Sequence, residues 1–354
     1  MTGRGFCAGT ALAARSVMTR NYLVVLNERA GGAHRVEDLE ARITEGLTGR
    51  HGARVVIVRL SDPDGPQRAA RLARSRQWDA VIAAGGDGTH HWLLEALAGT
   101  GVPLGIIPLG TANDLARACG IPADVAGACR VIRADQRARL DLVRAGEQPF
   151  VTSGGVGLPA DVALTVLRLR RRWRVCDALS RLLGFHVYSL VLLLLVLCSR
   201  RTWRRLVVEE EDGAVRRVEA HVALVMNQSF LGRSFHPAPA ASHRDGELDL
   251  VLVLRRRGPL GRLHLLRTLL ATMRGRHLGR PDVLLLRGRR FALQVEEQGR
   301  SACQEPFFAD GEELTRGARF EVGLERKALT VIVPAAAASL RLPRFSPLLL
   351  SSAA

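Results

Sequence analysis

Over its first 120 residues the chain alternates short apolar blocks with stretches whose apolar positions recur every three or four residues. The blocks at 22–26, 55–60, 81–84 and 104–107 predict strands, and the periodic stretches at 36–47, 67–76, 90–98 and 113–119 predict helices. Strands that alternate with helices imply a parallel sheet with helical crossovers. From about Leu140 the period shortens to two. Segments 149–156, 206–211, 218–226, 248–254, 283–286, 291–295, 319–323 and 329–333 read as strands, separated by turn residues such as Glu211-Asp212-Gly213. That pattern predicts an antiparallel β region. Helical stretches at 161–198 and 259–274 interrupt it, and His236-Pro237-Ala238-Pro239 is an irregular loop inside it. No internal repeat is evident.

The ends and the most apolar run add bounds. Residues 1–17 are small and polar, without the apolar core of a secretory leader, and Met18 stands directly before the first strand as a second candidate start. Segment 184–198 holds Val-Leu-Leu-Leu-Leu-Val-Leu but falls short of the ~20 residues a membrane span requires, so a buried helix is expected. The Ala-, Ser-, Leu- and Pro-rich tail, 336–354, is expected to be mobile. The expected division is a start segment 1–20, an α/β domain 21–148, a β domain 149–328, a final strand 329–335 and the tail.

Composition narrows the class. With 354 residues, 47% of them hydrophobic, the chain supports two cored domains. The net charge of +17 comes almost wholly from arginine, since Lys327 is the single lysine. Such a charge reflects either biased arginine usage or attraction to a polyanion such as an anionic bilayer or a nucleotide. Few aromatics and no nucleic-acid motif argue against nucleic acid. The six cysteines (Cys7, Cys119, Cys129, Cys176, Cys198, Cys303) form no C-x-x-C pair, which fits a reducing compartment.

Two strand-to-helix turns carry the candidate chemistry. The first is Gly85-Gly86-Asp87-Gly88-Thr89. Its glycines let the backbone approach a bulky ligand, and the helix behind it offers free N–H groups suited to phosphate. Asp87 is placed for a metal or a hydroxyl. The second turn, Gly110-Thr111-Ala112-Asn113-Asp114, has the same design, although Asn or Asp there is also what helix capping demands.

Together with the Pro108 to Arg117 run, these turns resemble the diacylglycerol kinase catalytic domain of soluble bacterial lipid kinases. NAD kinases and phosphofructokinases share the first turn in variant form. The resemblance covers about residues 21 to 335. It implies a three-layer α/β nucleotide domain, a C-terminal antiparallel β-sandwich, a cleft between them, and a chain end that returns to the first domain. ATP and Mg2+ are the implied cofactors. By the same resemblance, Asp87, Asp114 and Asp141 form a metal–water network, and Glu312, in Ala-Asp-Gly-Glu, is the general base for a lipid hydroxyl. Alone, Asp141 equally reads as a capped strand end and Glu312 as the solvated neighbour of an Asp-Gly turn.

Nucleotide contacts are expected from Asn27 to Gly31, Ser61, Gly86, Asp87, Gly88, Thr89 and Thr111. Segment 242–247 resembles a structural magnesium loop, with the carboxylate of Asp245 and the backbone carbonyls of Ser242 and Glu247 as ligands; a plain Asp-Gly turn is the alternative. The chain departs from the family pattern at Glu28, where proline is usual, and at His91-Trp92, where an acid usually follows. Arg168–Arg174 with Trp173, Arg200–Arg205 with Trp203, and Arg255–Arg257 suit peripheral contact with a bilayer.

The expected activity is phosphoryl transfer from ATP to a lipid hydroxyl, of diacylglycerol or of a sphingoid or phosphatidylglycerol-like acceptor. The expected location is cytoplasmic, at the inner face of the membrane, and association into a homodimer stays open. An NAD kinase-like enzyme is the second reading, and a non-catalytic lipid- or nucleotide-binding relative the third.

Overall fold

The computed structural model describes residues 20–31, 33, 36–49, 52–75, 77–172, 186–199, 202–296 and 304–339. Four parallel strands, β1 (Arg20–Leu26), β2 (Ala53–Arg59), β3 (Ala80–Gly85) and β4 (Leu104–Pro108), lie in the order β4-β3-β1-β2. Between them run α1 (Leu39–Thr48), α2 (Gly65–Ala73) and α3 (Asp87–Leu97). The step from β1 to β2 goes one way across the sheet, and those from β2 to β3 and β4 go the other. Right-handed crossovers therefore put α1 on one face and α2 with α3 on the other, which makes three layers. The central strands are apolar because both faces are covered: Leu23, Val24, Val25, Val81 and Ile82 are fully buried.

After the short α4 (Asp114–Ala118), α5 (Val125–Ala134) packs against α1. Asp124 caps it, accepting from the Gly127 N–H at 2.7 Å. No helix is expected here from the sequence; the face α5 buries is Gly127, Ala128, Cys129 and Ile132.

The second domain is a β-sandwich. Strands β5 (Arg137–Ala145), β6 (Gln148–Phe150), β7 (Ser153–Gly157), β8 (Arg204–Glu210), β9 (Val215–Met226), β10 (Leu248–Leu254), β11 (Val283–Gly288), β12 (Arg290–Val295), β13 (Glu305–Ala309), β14 (Glu312–Gly317) and β15 (Arg319–Ile332) follow. The main path is β14-β13-β7-β9-β8-β12-β15; β10 joins β9 to β11, and β5 joins β15 to β6. Alternation sorts the two faces. Ala223 and Val225 of β9 and Leu248, Leu250 and Leu252 of β10 point into the sandwich core. Val222, Leu224, Val251 and Val253 point outward, under α6 (Leu158–Arg172), α7 (His186–Cys198) and α8 (Gly261–Met273). The helical stretches thus cover the outer face of the sandwich; residues 173–185, within the expected 161–198 helix, lie outside the described residues.

Segments 319–323 and 329–333 prove to be one strand. β15 pairs with β12 and β5 and reaches β4 through Val331↔Leu104, so one mixed sheet runs through both domains. An irregularity between Glu325 and Leu329, with Lys327 at φ 54°, bends it there. Strands β5, β13 and β14 have no counterpart among the expected segments, and Val151-Thr152 splits 149–156 into β6 and β7. The start segment and most of the tail lie outside the described residues, though α9 (Ala335–Ser339) occupies the first part of the tail.

Candidate active site

A cavity of about 390 Å3 lies between the domains. One end is polar and built from three turns at the C-terminal ends of β1, β3 and β4, where ligands gather in parallel sheets. Asn27, Gly31, Gly86, Asp87, Gly88, Thr89, Thr111 and Asp114 all line it. The turns hold one another. Asn27 donates to Thr89 Oγ1 at 3.2 Å, and a Cβ on Gly31 would meet Thr111 Oγ1 at 3.1 Å. Gly86 and Gly110 approach so closely that a Cβ on Gly110 would stand 2.5 Å from the Gly86 Cα. Both positions therefore require glycine.

Asp87 opens α3, but its carboxylate serves α4. It accepts from the N–H groups of Asn113 at 2.9 Å and Asp114 at 2.7 Å, the free donors at that helix start. Asn113 takes φ 51° and accepts from the Gly110 N–H at 2.9 Å. Asp114 accepts from the Gly232 N–H at 2.7 Å. Arg117 donates to the Gly232 carbonyl at 2.8 Å and lies 4.5 Å from the Phe230 ring centroid. The second turn is thereby tied to the β domain.

Glu312 reaches the same cavity from that domain: its Oε1 would be 2.9 Å from a Cβ on Gly88. It follows Asp310-Gly311, whose φ angles of 49° and 86° suit a two-residue hairpin turn between β13 and β14. Asp310 also lines the cavity and is the residue there that sequence reasoning missed. Its buried carboxylate accepts from the N–H groups of Val151 (3.1 Å) and Thr152 (2.9 Å), from Thr152 Oγ1 at 2.5 Å, and sits 3.0 Å from His91 Nδ1. The signal was present as an Asp-Gly hairpin pair.

The acids share one field. Burial, with the Asp310 charge added, pushes Asp87 up to about 6. Burial and the neighbouring Asp87 push Asp114 up to about 7. Burial opposes the ionised form of Asp310, yet its hydrogen bond with His91 and the His91 charge hold it below 3.8. His91 is raised above 6.5: burial works against this, and Asp310 and Glu312 outweigh it. Burial drops His90 to about 4, so it is neutral. Trp92 is exposed and does not line the cavity.

Asp87 and Asp114 line the cavity with carboxylate oxygens, each already accepting a main-chain N–H and Asp114 with Arg117 3.4 Å away, and their remaining lone pairs are hard donors of the kind a divalent ion such as magnesium takes. Among the described residues no three acid, His or Cys groups stand close enough to hold an ion unaided.

Three expectations need correction. Asp141 does not line the cavity with Asp87 and Asp114. Both its oxygens are taken, by the N–H groups of Lys327 at 2.7 Å and Gly246 at 2.8 Å, so it pins the 243–246 turn to β15. Ser61 is also outside the lining; its hydroxyl donates to Glu28. With Arg59 at 3.7 Å, it draws the Glu28 charge aside, and Arg29 lines the cavity instead. Third, the 242–247 loop does not fit a magnesium ion. The Arg287 guanidinium lies 3.4 Å from Asp245, 3.4 Å from Glu247 and 3.1 Å from Asp249, where the ion's charge was expected. The Ser242 carbonyl accepts from the Asp245 N–H at 3.4 Å.

The far end of the cavity is apolar. Val222, Leu224, Val251 and Val253 floor it, and Leu158 and Val162 of α6, Tyr188 and Leu192 of α7 and Leu269 of α8 wall it.

Residues 21–145 match the family model "Diacylglycerol kinase catalytic domain", and residues 176–333 match "YegS C-terminal NAD kinase beta sandwich-like domain". A Chromohalobacter salexigens protein named "Probable lipid kinase YegS-like" is 31% identical over 234 residues, 65% of this chain and 70% of its own. The chain belongs to the diacylglycerol kinase and YegS-like lipid kinase family. Diacylglycerol kinase of Bacillus subtilis is 29% identical over 65% of this chain and 72% of its own. The crystal structure of a diacylglycerol kinase from Bacillus anthracis shares the fold, with a TM-score of 0.59 at 18% identity over 90% of this chain and 98% of that one. The family places the chain among lipid kinases, and the α/β domain followed by a β-sandwich is its architecture.

Proposed function

We propose that this protein transfers the γ-phosphoryl group of ATP to the hydroxyl of a membrane lipid, with diacylglycerol as the first acceptor to test. One observation carries the reading: a single cavity joins two phosphate-suited glycine turns to an apolar chamber, and Glu312 reaches it beside Gly88. An acceptor with a hydroxyl at the end of an apolar body matches both ends.

In this reading the main-chain N–H groups left free in the Gly86–Gly88 and Thr111–Ala112 segments hold the phosphates, since those of Thr89 and Gly110 are already bonded, with Arg29 adding positive charge. Asp87 and Asp114 would hold Mg2+, which supplies charge neutralisation between the phosphate oxygens. Glu312 takes the proton of the lipid hydroxyl as its oxygen bonds to the γ-phosphorus, and the β–γ bridging bond breaks to release ADP. Asp310 positions Glu312 by fixing the hairpin turn, and the apolar chamber takes the acyl body and excludes water.

The experiment is incubation of pure protein with γ-labelled ATP, Mg2+ and, separately, diacylglycerol, a sphingoid base, phosphatidylglycerol and NAD. Label in a lipid is expected. Label in NAD alone establishes an NAD kinase-like enzyme, and ATP binding without product in any arm establishes a non-catalytic relative.

A further inference from the structure

The two helices that wall the apolar chamber also carry most of the exposed apolar surface. Nine of the twelve exposed large hydrophobic side chains among the described residues lie on α7, α8 or the residues flanking α8. On α7, Tyr188 and Leu192 face the cavity while Leu190, Leu193, Leu194 and Leu197 are open to solvent, Leu194 at 51%. On α8, Leu265 is buried and Leu269 faces the cavity, while Leu263 and Leu270 are exposed, Leu270 at 54%. Arg262 joins the helices, donating to the carbonyls of Leu197 and of Ser199, the latter at 2.9 Å. The exposed leucines therefore belong to one surface.

A helix apolar on all sides is at rest only when buried or in lipid. The 13 residues of α7 are too few to cross a bilayer, and no helix among the described residues is long and apolar enough to do so. Such a helix lies in the plane of the interface. The surrounding charge is mainly positive: Arg256, Arg267, Arg274 and Arg276 are exposed and form no ion pair with a described residue, while Arg205, Arg255 and Arg257 gather on Glu219 and Arg280 pairs with Asp282. Arg257 is exposed, and the Arg255 guanidinium stacks 3.8 Å from the Trp203 ring centroid.

We infer that α7 and α8 form a docking face that seats the protein on an anionic phospholipid bilayer, with the leucines in the acyl boundary and the arginines at the headgroups. A second copy of this chain fits less well, because it would set the unpaired arginines of one face, Arg256, Arg267, Arg274 and Arg276, against the same residues of another. The inference rests on the lipid kinase reading for its purpose: the helices that dock are those that wall the chamber, so a lipid passes from bilayer to cavity along one continuous apolar surface.

The test is co-sedimentation, without nucleotide, with phosphatidylcholine vesicles and with vesicles that also contain phosphatidylglycerol. Binding to the anionic vesicles is expected, weakened by salt. A Leu194→Glu/Leu270→Glu variant is expected to bind at least tenfold more weakly, to melt at the wild-type temperature, and to keep its activity on a soluble short-chain diacylglycerol. A milder Leu194→Gln/Leu270→Gln variant serves as a check on folding and should fall between the two. Vesicle binding by the glutamate variant equal to wild type overturns the inference. So does a wild-type dimer that the variant converts to monomer with vesicle binding unchanged, which makes the face a self-interface. Loss of vesicle binding in the variant, with no lipid labelled by the wild type, supports the docking face while refuting the kinase reading.

Discussion

Gly88→Ala separates the placement of Glu312 from the stability of the turn that faces it. Gly88 is the second residue of α3, and its backbone is not in the left-handed region. An added Cβ would lie 2.9 Å from Glu312 Oε1, whereas ordinary contacts begin at 3.4 Å, so the carboxylate must withdraw by roughly 0.5 Å. Misplacing a reacting group by about 1 Å costs ~100-fold in rate, so half that distance costs ~10-fold, or about 1.4 kcal/mol of transition-state stabilisation. Alanine in place of glycine within a helix stabilises by about 0.5–1 kcal/mol. The variant should therefore be at least as stable as wild type in urea unfolding, yet ~10-fold slower in transfer from ATP to diacylglycerol. Steady-state kinetics in the wild-type and Glu312→Gln backgrounds complete the cycle. With the base removed, Gly88→Ala should cost little more. A fully active Gly88→Ala, or the same loss in both backgrounds, refutes the placement of Glu312 as base. Gly110→Ala is the contrast, since its Cβ would meet the Gly86 main chain at 2.5 Å and the turns would have to part.

Four further outcomes are expected. His91→Gln removes the charged partner of Asp310 and should destabilise by about 1.5–3 kcal/mol at pH 6. The raised His91 pKa gives stability that is fully present below pH 6.5 and lost as pH rises through the folded value, while the lowered Asp310 pKa gives stability present above pH 3.8, so the pair acts between these limits. Urea unfolding at pH 6 and pH 9 should show the larger deficit at pH 6, and equal deficits contradict the pair. Val251→Phe, on the cavity floor, should reduce kcat/KM for long-chain acceptors by ~4-fold per excluded methylene, at ~0.8 kcal/mol each, and spare short-chain ones; a uniform loss with chain length counts against an acyl chamber. Mg2+ with ATP at 100 times its Kd should stabilise the wild type by about 2.7 kcal/mol in thermal unfolding, and Asp87→Asn should lose most of this; an undiminished shift contradicts the assigned metal position. Arg287→Met leaves Asp245, Glu247 and Asp249 without their cation and should cost about 3 kcal/mol, part of it recovered by millimolar Mg2+ in the variant alone. An equal Mg2+ response in wild type and variant contradicts the role given to Arg287.

The parts of the site legible in the sequence are those with local causes. The turns at 85–89 and 110–114 announce themselves because Gly86 and Gly110 approach too closely for a Cβ between them, and because an Asp stands at each helix start. The two-domain division is legible from the change in apolar period near Leu140. What escaped reading depends on distant partners. Asp310 meets His91 across 219 positions, and nothing near either residue marks the pair. Asp141 sits beside the 243–246 turn, and only the fold shows that two main-chain donors already occupy its oxygens. The apolar run at 184–198 is visible as a sequence, but its two-sided use, with Leu192 toward the cavity and Leu194 toward solvent, is a property of packing. Strands β13 and β14 are short and meet through a bulge between Phe307 and Phe308, which weakens their alternation.

The central claim is that Glu312 activates a lipid hydroxyl over the glycine turns. Single-turnover transfer from labelled ATP to diacylglycerol, measured beside ATP binding on wild type and Glu312→Gln, tests it most directly. The account predicts a loss of ~10²- to 10⁴-fold in transfer with ATP affinity unchanged. Transfer at the wild-type rate by Glu312→Gln contradicts it.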